Sequence, residues 1–276
     1  MSNTPLGDWQ ADLALARSLA ERAGSLIRSR WGTELHIDHK GDINLVSEVD
    51  LAAETLIIEG IKASRPSDAI LAEEETGEGL AKRADVFDAE AGRVWCIDPL
   101  DGTTNFSHSF PHFCVSVALI EGGESVVGVI YDPMRRWTFW ATRGGGAWLD
   151  GAQLRVSQRV ELKKALLATG YPYDRHTSDH DNLAQTCALL KRCQGLRRAG
   201  AAALDLAYVA AGWLDGYWEY KLQPWDIAAG VLLIEEAGGV ITDHEEERAW
   251  FQRGSIITAG TQSLHTHIST CLSEVS

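Results

Sequence analysis

The 276-residue sequence lacks the features that mark several classes of protein. It has no Lys/Arg-rich run, and 39 acidic against 25 basic residues give a formal net charge of −14. Nucleic-acid-binding proteins usually carry a basic patch, so we expect no nucleic-acid partner. No apolar stretch is long enough to span a bilayer, and the first residues lack the basic and apolar regions of a signal peptide. The composition therefore predicts a cytoplasmic protein that does not bind membranes.

Two kinds of reactive site are also missing. The five cysteines form no CxxC pair, which favours reduced, buried thiols over disulfides or a zinc site. No GxSxG motif is present, so the sequence offers no nucleophilic serine of the hydrolase type.

The hydrophobic pattern predicts an α+β fold in which mixed and antiparallel sheets are covered by helices in layers. The apolar content of 45% is enough for one globular unit over residues 1–276, with a soft division near residue 150 into halves 1–150 and 151–276. Helices are predicted over 8–31, 47–63, 177–193, 202–211, 224–237 and 261–272. Strands are predicted over 69–71, 94–97, 113–120, 125–131, 137–141, 166–169, 216–220, 240–242 and 255–259.

The most informative segment runs from Trp95 to Phe106 and reads WCIDPLDGTTNF. An apolar strand ends at Asp98, Pro99 fixes the backbone, and Asp101 follows three residues after Asp98. Two carboxylates aimed at one point repel each other unless a cation lies between them. Oxygen ligands without Cys or His favour magnesium over zinc.

The next residues, Gly102 to Thr104, are predicted to begin a short helix whose free N–H groups can hold phosphate oxygens. Asp101 alone has an alternative interpretation as the N-cap of that helix. Glu73 to Glu75 follow a predicted strand, and Asp226 lies in the first turn of a predicted helix. Taken singly, the glutamates fit a solvated loop and Asp226 fits a helix cap. Three acidic elements at strand ends and helix starts indicate a shared site.

These motifs resemble those of the inositol monophosphatase family. The first signature lies at 98–106, and the second at 225–230 with 236–239 beyond it. The segment from Asn44 to Asp50 and the pair Glu73-Glu74 are also similar to family segments, so the resemblance spans residues 40 to 243. It implies a layered αβαβα sandwich, a lithium-sensitive Mg²⁺-dependent phosphomonoesterase and a homodimer.

The resemblance also implies a metal site with two or three Mg²⁺ ions. Its ligands would be Glu73, Asp98, the Leu100 carbonyl, Asp101 and Asp226. The run of glutamates leaves the ligand open between Glu73 and Glu74, and Glu73 is preferred as the first glutamate after the strand.

The other roles implied by the resemblance concern water and substrate. Thr103, paired with Glu73, would position the water that attacks phosphorus, and Asp50 would support the Thr103 hydroxyl. The remaining expected contacts are Gly102 and Thr103 with the phosphate, Gly200, Ala202 and Glu219 with the alcohol, and Lys40 at the mouth of the cleft.

The substrate stays open at this point. Inositol monophosphate, histidinol phosphate and other sugar- or nucleotide-derived phosphates all fit a metal centre that recognises only the phosphate. A non-enzymatic regulatory role is the alternative from another class, since the resemblance extends to bacterial proteins that act on transcription complexes. The presence of every acidic ligand together with Thr103 favours the enzyme.

Overall fold

Three layers of helices enclose two β-sheets in the computed structural model, which describes residues 9–33, 37–39, 45–74 and 92–275. The helices are α1 (Gln10–Arg30), α2 (Glu48–Ser64), α3 (Thr103–Ser107), α4 (Leu183–Leu190), α5 (Ala202–Ala210), α6 (Pro224–Glu236), α7 (Trp250–Arg253) and α8 (Gln262–Ser273). The strands are β1 (Ile37–His39), β2 (Leu45–Ser47), β3 (Ala69–Ala72), β4 (Arg93–Asp101), β5 (Cys114–Glu121), β6 (Glu124–Asp132), β7 (Trp137–Thr142), β8 (Gly146–Leu149), β9 (Ala152–Gln153), β10 (Leu166–Thr169), β11 (Gly195–Arg197), β12 (Gly216–Glu219), β13 (Val240–Thr242) and β14 (Ile256–Ala259).

The larger sheet has seven strands in sequence order from β3 to β9. Its β3–β4 pair is parallel and the following pairs are antiparallel, which confirms the meander predicted from the spacing of turns. The smaller sheet has the order β11-β10-β12-β14-β13 and mixes parallel with antiparallel pairs. A separate short antiparallel pair joins β1 and β2.

Both faces of the larger sheet are buried, and the alternation along β4 shows why. Val94 and Cys96 point into the core shared with α5 and α6, whereas Trp95 and Ile97 pack against the layer formed by α1 and α2. The smaller sheet is covered by α5 and α6 on one face and by α4 and α8 on the other. The predicted layered αβαβα sandwich is confirmed, while the division near residue 150 stays a prediction.

One predicted helix is much shorter than expected. The helix expected over 177–193 forms only as α4, because Asn182 adopts a left-handed φ of 66° immediately before it. The buried Asn182 amide donates to Thr169 Oγ1 at 2.7 Å and to the Gly170 carbonyl at 2.6 Å, and its oxygen accepts from Trp218 Nε1 at 2.8 Å. These tertiary bonds override the local helical pattern.

Within the ranges that the structure describes, every helix is too short or too polar to cross a bilayer.

Candidate active site

The predicted acidic residues line one cleft of about 320 Å³ where β4, β12 and the start of α6 meet. A second compartment of about 190 Å³ continues it and shares several of its walls. The predicted residues on the first compartment are Glu73, Asp98, Leu100, Asp101, Gly102, Thr103, Glu219 and Asp226. The structure thus brings together all but four of the predicted site residues here: Gly200 and Ala202 line the second compartment, Asp50 contacts Thr103, and Lys40 lies outside the described residues.

Asp98 and Asp101 are set by an irregularity in β4. The strand was expected to end at Asp98, but it continues to Asp101 with a shift of register between the two residues. Pro99 lies within this shift, where its missing N–H costs no ladder bond. The Leu100 amide donates to Asp98 Oδ1 at 3.0 Å. The irregularity turns both carboxylates toward the cleft.

The capping interpretations of Asp101 and Asp226 meet different outcomes. Asp101 does not cap the short helix that follows it, since Gly102 is the N-cap of α3. Instead it accepts from the Ala202 and Ala203 amides at 3.2 and 2.8 Å and thereby caps α5. Asp226 does cap its own helix through the Gln223 amide at 2.6 Å, and it faces the cleft as well.

The two glutamates after β3 occupy different surroundings. Glu73 lines the cleft, and its amide donates to the Ile97 carbonyl at 3.2 Å, which continues the parallel pairing of β3 with β4. The amide of Glu74 donates to the buried Glu54 at 2.9 Å. Of the two alternatives, Glu73 is the glutamate on the cleft.

Burial and mutual repulsion dominate the electrostatics of the cluster. The pKa of Asp98 lies well above its usual range, because burial disfavours the ionised form and because Glu73, Asp101 and Asp226 repel it. Burial likewise raises the pKa of Asp101 to about 6, against hydrogen bonds from Ala203, Cys114 and Ala202 that lower it. The pKa of Asp226 is raised by burial and then by Glu73.

This arrangement fits divalent cations by its donor chemistry. Four carboxyl groups and a backbone carbonyl on one wall form an all-oxygen set of the kind that Mg²⁺ prefers. A cation would also reverse the pKa shifts by stabilising the ionised carboxylates. Among the described residues, no group of three or more Asp, Glu, His or Cys side chains is gathered closely enough to hold a metal ion. Asp98, Asp101 and Asp226 each accept a hydrogen bond from a backbone N–H group.

Thr103 lies beside this cluster with two acceptors in reach. Its hydroxyl oxygen is 2.9 Å from Asp50 Oδ1 and 3.0 Å from the Leu100 carbonyl oxygen. One hydroxyl hydrogen serves one acceptor at a time, so a cation on the Leu100 carbonyl would leave Asp50 as the acceptor. The Thr103 oxygen then keeps a lone pair for a water molecule. The expected contact between Asp50 and Thr103 is present.

Two glycines allow the backbone of the cleft to close on itself. Gly102 has a φ of 95°, and a Cβ there would lie 3.1 Å from the His112 carbonyl oxygen and 3.3 Å from that of Gly200. Gly200 has a φ of 84°. Asn105 ties the two segments together by donating to the carbonyls of His112, Ala199 and Gly200 at 2.7 to 3.2 Å. The sequence motif contained Asn105, but its linking role became visible only in three dimensions.

Glu219 separates the two compartments at the end of β12. It is held by the Tyr217 hydroxyl and by the absence of a side chain at Gly170, where a Cβ would overlap the Glu219 carboxylate. Burial raises the pKa of Glu219 to about 7, while the Tyr217 hydroxyl and the Arg198 charge lower it. Glu219 is therefore a buried carboxyl group at the junction of the compartments.

Several residues of the second compartment were not predicted. Asp205, Arg198 and Arg175 line it beside Glu219. The signal for Asp205 was a single acidic residue in the otherwise apolar helix 202–210, and Arg198 precedes the predicted Gly200 by two positions. Neither carries a motif that sequence reasoning recognises.

Comparisons with known proteins agree with this geometry. The model of the family described as "Inositol monophosphatase family" matches residues 8–276. An inositol-1-monophosphatase of Synechocystis sp. is 41% identical over 266 residues, covering 96% of this chain and 90% of the relative. The Nus factor SuhB of Escherichia coli K12 is 41% identical over 268 residues, covering 96% and 97%. The solved inositol monophosphatase of Anabaena sp. superimposes with a TM-score of 0.86 at 38% identity, covering 98% of each chain.

Proposed function

We infer the function from the premise that this chain belongs to the inositol monophosphatase family. We propose that it hydrolyses the phosphate monoester of a small polyhydroxylated alcohol, with Mg²⁺ as its cofactor. The carrying observation is the single cleft lined by Glu73, Asp98, Asp101 and Asp226 beside the bond between Thr103 and Asp50. The proposal agrees with the family, whose members are phosphatases that generally depend on metal ions and act on small phosphate esters.

The proposed metal centre holds two or three Mg²⁺ ions. Glu73, Asp98, Asp101, Asp226 and the Leu100 carbonyl are its proposed ligands. When bound, Mg²⁺ supplies charge neutralisation for the phosphoryl oxygens and the leaving oxygen and makes water a better nucleophile. No covalent intermediate with the protein is required, because phosphoryl transfer depends mainly on positioning and on charge stabilisation.

The proposed role of Thr103 is to orient the attacking water. With its hydrogen donated to Asp50, its oxygen accepts a hydrogen bond from the water and points the water's remaining lone pair toward phosphorus. Glu73 lines the same compartment and offers a second acceptor. Gly102 and Thr103, at the start of α3, contribute backbone N–H groups for the phosphate oxygens.

The proposed alcohol site is the second compartment. Gly200 and Ala202 lie on its wall, and Glu219 accepts a hydrogen bond from a substrate hydroxyl group. The Ala202 amide already donates to Asp101, so the Glu219 carboxylate is the stronger candidate for a specific contact. Inositol monophosphate leads this proposal, and histidinol phosphate, with an ammonium group for Glu219, is the alternative.

A homodimer is part of the proposal. Trp213 and Phe110 are 45% and 52% exposed. The Trp213 ring centre lies 5.1 Å from that of Trp137 and 5.3 Å from that of Tyr208, and the His112 ring connects Phe110 to Tyr208. Exposed aromatic clusters of this kind are typical of interfaces between proteins. Light scattering should give twice the mass of the chain, and Trp213→Ser should weaken the dimer. A wild-type monomer at high protein concentration would refute the proposed homodimer.

The compartment is proposed to be the cytoplasm. All five cysteines are free, three of them buried, which suits a reducing environment. A chain exported and oxidised in its native host would contradict this part of the proposal.

The direct test is phosphate release by metal-stripped protein from a panel of phosphomonoesters, with and without added Mg²⁺. We expect turnover of inositol monophosphate that requires Mg²⁺ and stops in excess EDTA. Full turnover in EDTA would refute the metal-dependent mechanism. Release from none of the esters at any Mg²⁺ concentration would refute the phosphatase.

A second candidate function is favoured by the Nus factors among the relatives, which are about as similar to this chain as the phosphatases are. In that case the chain acts by binding to transcription complexes, and this role does not require hydrolysis. A variant without turnover, Asp98→Asn, separates the two functions in E. coli cells that lack their own SuhB. If wild type and variant both restore the growth of these cells, the binding role is supported. If only wild type restores it, hydrolysis is supported.

A further inference from the structure

The second compartment contains a buried carboxyl group for which the proposed mechanism has no use. Asp205 lies in the first turn of α5 and is 2% exposed, yet it belongs to the wall of the compartment. Its charged neighbours are Arg198, Glu219 and Asp101, and no described residue donates a hydrogen bond to its carboxyl group. A buried carboxyl group without a donor is costly. The cleft is the side from which a ligand can supply one.

The charges around Asp205 indicate what kind of donor fits. Arg175 and Arg198 line the compartment together with four carboxyl groups, of which Asp101 and Asp226 are proposed metal ligands. Two guanidinium groups therefore stand against the two remaining carboxyl groups, those of Asp205 and Glu219. Burial and the neighbouring Glu219 and Asp101 raise the pKa of Asp205 well above its usual range, whereas Arg198 lowers the pKa of both Asp205 and Glu219. Its guanidinium lies 5.5 Å from the centre of the Tyr171 ring, which keeps it over this wall. Because the charges balance, a neutral hydroxyl group fits better than an ammonium group.

We propose that Asp205 is a second substrate-binding carboxylate, which accepts a hydrogen bond from a hydroxyl group of the leaving alcohol other than the one bound by Glu219. This inference rests on the proposed phosphomonoesterase function and deepens it. With two carboxylates binding two hydroxyl groups, the enzyme selects monophosphates of polyols and discriminates against esters of simple alcohols and phenols. Asp205 contacts substrate but not the reacting atoms, so it determines specificity rather than chemistry.

The test compares inositol 1-phosphate with 4-nitrophenyl phosphate, which has no hydroxyl donor on its leaving group. For Asp205→Ala we expect kcat/KM with inositol 1-phosphate to fall about 10- to 100-fold, and that with 4-nitrophenyl phosphate to change by less than about twofold. Asp205→Asn preserves the shape and one acceptor oxygen, so its loss should be smaller than that of the alanine variant. This second variant keeps the test valid if the alanine variant does not fold.

Asp215→Asn is the matched control, because Asp215 is also buried and lies in the same half but outside both compartments. It accepts from Ser157 and from the Leu166 amide, so its replacement should lower the unfolding temperature and affect both esters alike. If Asp205→Asn also lowers the unfolding temperature and reduces kcat/KM equally for both esters, Asp205 has a structural role and the inference is overturned.

The outcomes also separate this inference from the proposed function. If wild type hydrolyses neither ester with Mg²⁺, the proposed function fails. If wild type hydrolyses both and Asp205→Asn leaves their ratio unchanged, only the role of Asp205 fails. If wild type prefers histidinol phosphate to inositol 1-phosphate and the Asp205→Asn variant lacks this preference, Asp205 binds an ammonium group. That result would overturn the hydroxyl-binding role.

Discussion

Replacing Asp98 by asparagine should stabilise the metal-free protein and abolish its proposed activity. Asp98 is 2% exposed and is repelled by Glu73, Asp101 and Asp226. An asparagine amide oxygen can still accept the hydrogen bond from the Leu100 amide. The substitution therefore removes a buried ionisable group and keeps the shape of the side chain and its hydrogen bond.

The size of the effect follows from the pKa values of the cluster. Burial raises the pKa of Asp101 from 3.8 to about 6, and a difference of about 2 corresponds to roughly 3 kcal/mol of native-state destabilisation at neutral pH. The pKa of Asp98 is raised as well, with three carboxyl groups repelling it. Allowing for relaxation, we expect a gain of about 1–3 kcal/mol in the free energy of unfolding, or about 2–6 °C in Tm for a chain of this length.

The gain should depend on pH with a defined sign. Because the native pKa is raised, native Asp98 holds a proton that the unfolded chain releases above about pH 4. The stability of metal-free wild type therefore falls as the pH rises from about 4 through the native pKa, and this loss is absent below about pH 4. The asparagine variant lacks the titration of residue 98. The difference in Tm should vanish near pH 4 and should grow as the pH rises toward the raised native pKa of Asp98.

Scanning calorimetry in EDTA and in Mg²⁺, together with phosphate release, provides the assay. In Mg²⁺ the order should reverse, because bound metal stabilises wild type and the variant has lost a shared ligand. Asp132→Asn is the control, since Asp132 is fully buried but paired with Arg135 at 2.7 Å, and its loss should destabilise in both buffers. A variant less stable than wild type in EDTA, or one that keeps a tenth of the wild-type rate, would refute the reasoning.

Four further predictions concern the alcohol site and the metal. Glu219→Ala should lower kcat/KM for the physiological ester about 10- to 150-fold, equivalent to roughly 1.5–3 kcal/mol, and leave an aryl phosphate nearly unchanged; equal losses would place Glu219 in the metal site or the fold. Gly170→Ala should mimic this effect, because the alanine Cβ would overlap the Glu219 carboxylate; an unaltered kcat/KM for the physiological ester would contradict this prediction. Asn182→Ala should cost about 2–3 kcal/mol in thermal unfolding, since it leaves Trp218 Nε1 without its acceptor; an unchanged Tm would contradict that. Lithium in the tens of millimolar should inhibit at limiting Mg²⁺, and unchanged rates would argue against an intact second metal position.

The fold was predictable from the sequence wherever one local pattern determined the outcome. The meander from β5 to β7 followed from apolar runs separated by glycine turns. The helix expected from residue 261 forms as α8, because the Thr261 hydroxyl caps it by accepting from the Leu264 amide at 3.2 Å. The segment before α4 was not predictable, because Asn182 bonds to residues 13 and 36 positions away. A periodicity window contains no information about such partners.

The candidate site shows the same division. The carboxylates of the two signatures lie in dense local motifs, and the structure brings Asp98, Asp101 and Asp226 to one cleft. Asp205 has no motif, because its environment is created by Arg198, which precedes it by seven positions, and by Glu219, which follows on another element. The alternative interpretation of Asp101 was the N-cap of the helix that follows it, yet Asp101 caps a helix about a hundred residues further along the chain.

The shortened helix and the position of the Glu219 carboxylate have a common cause. Asn182 interrupts the expected helix and donates hydrogen bonds to the Thr169 hydroxyl and the Gly170 carbonyl. Thr169 donates in turn to the carbonyl of Trp218, the residue before Glu219. These bonds hold Gly170 against the Glu219 carboxylate, where any larger residue would collide. The loss of helix is thus the structural condition for a fixed carboxylate at the junction of the two compartments. A sequence pattern indicates the secondary structure that a segment favours in isolation. The position of Glu219 depends instead on tertiary hydrogen bonds that replace part of the predicted helix.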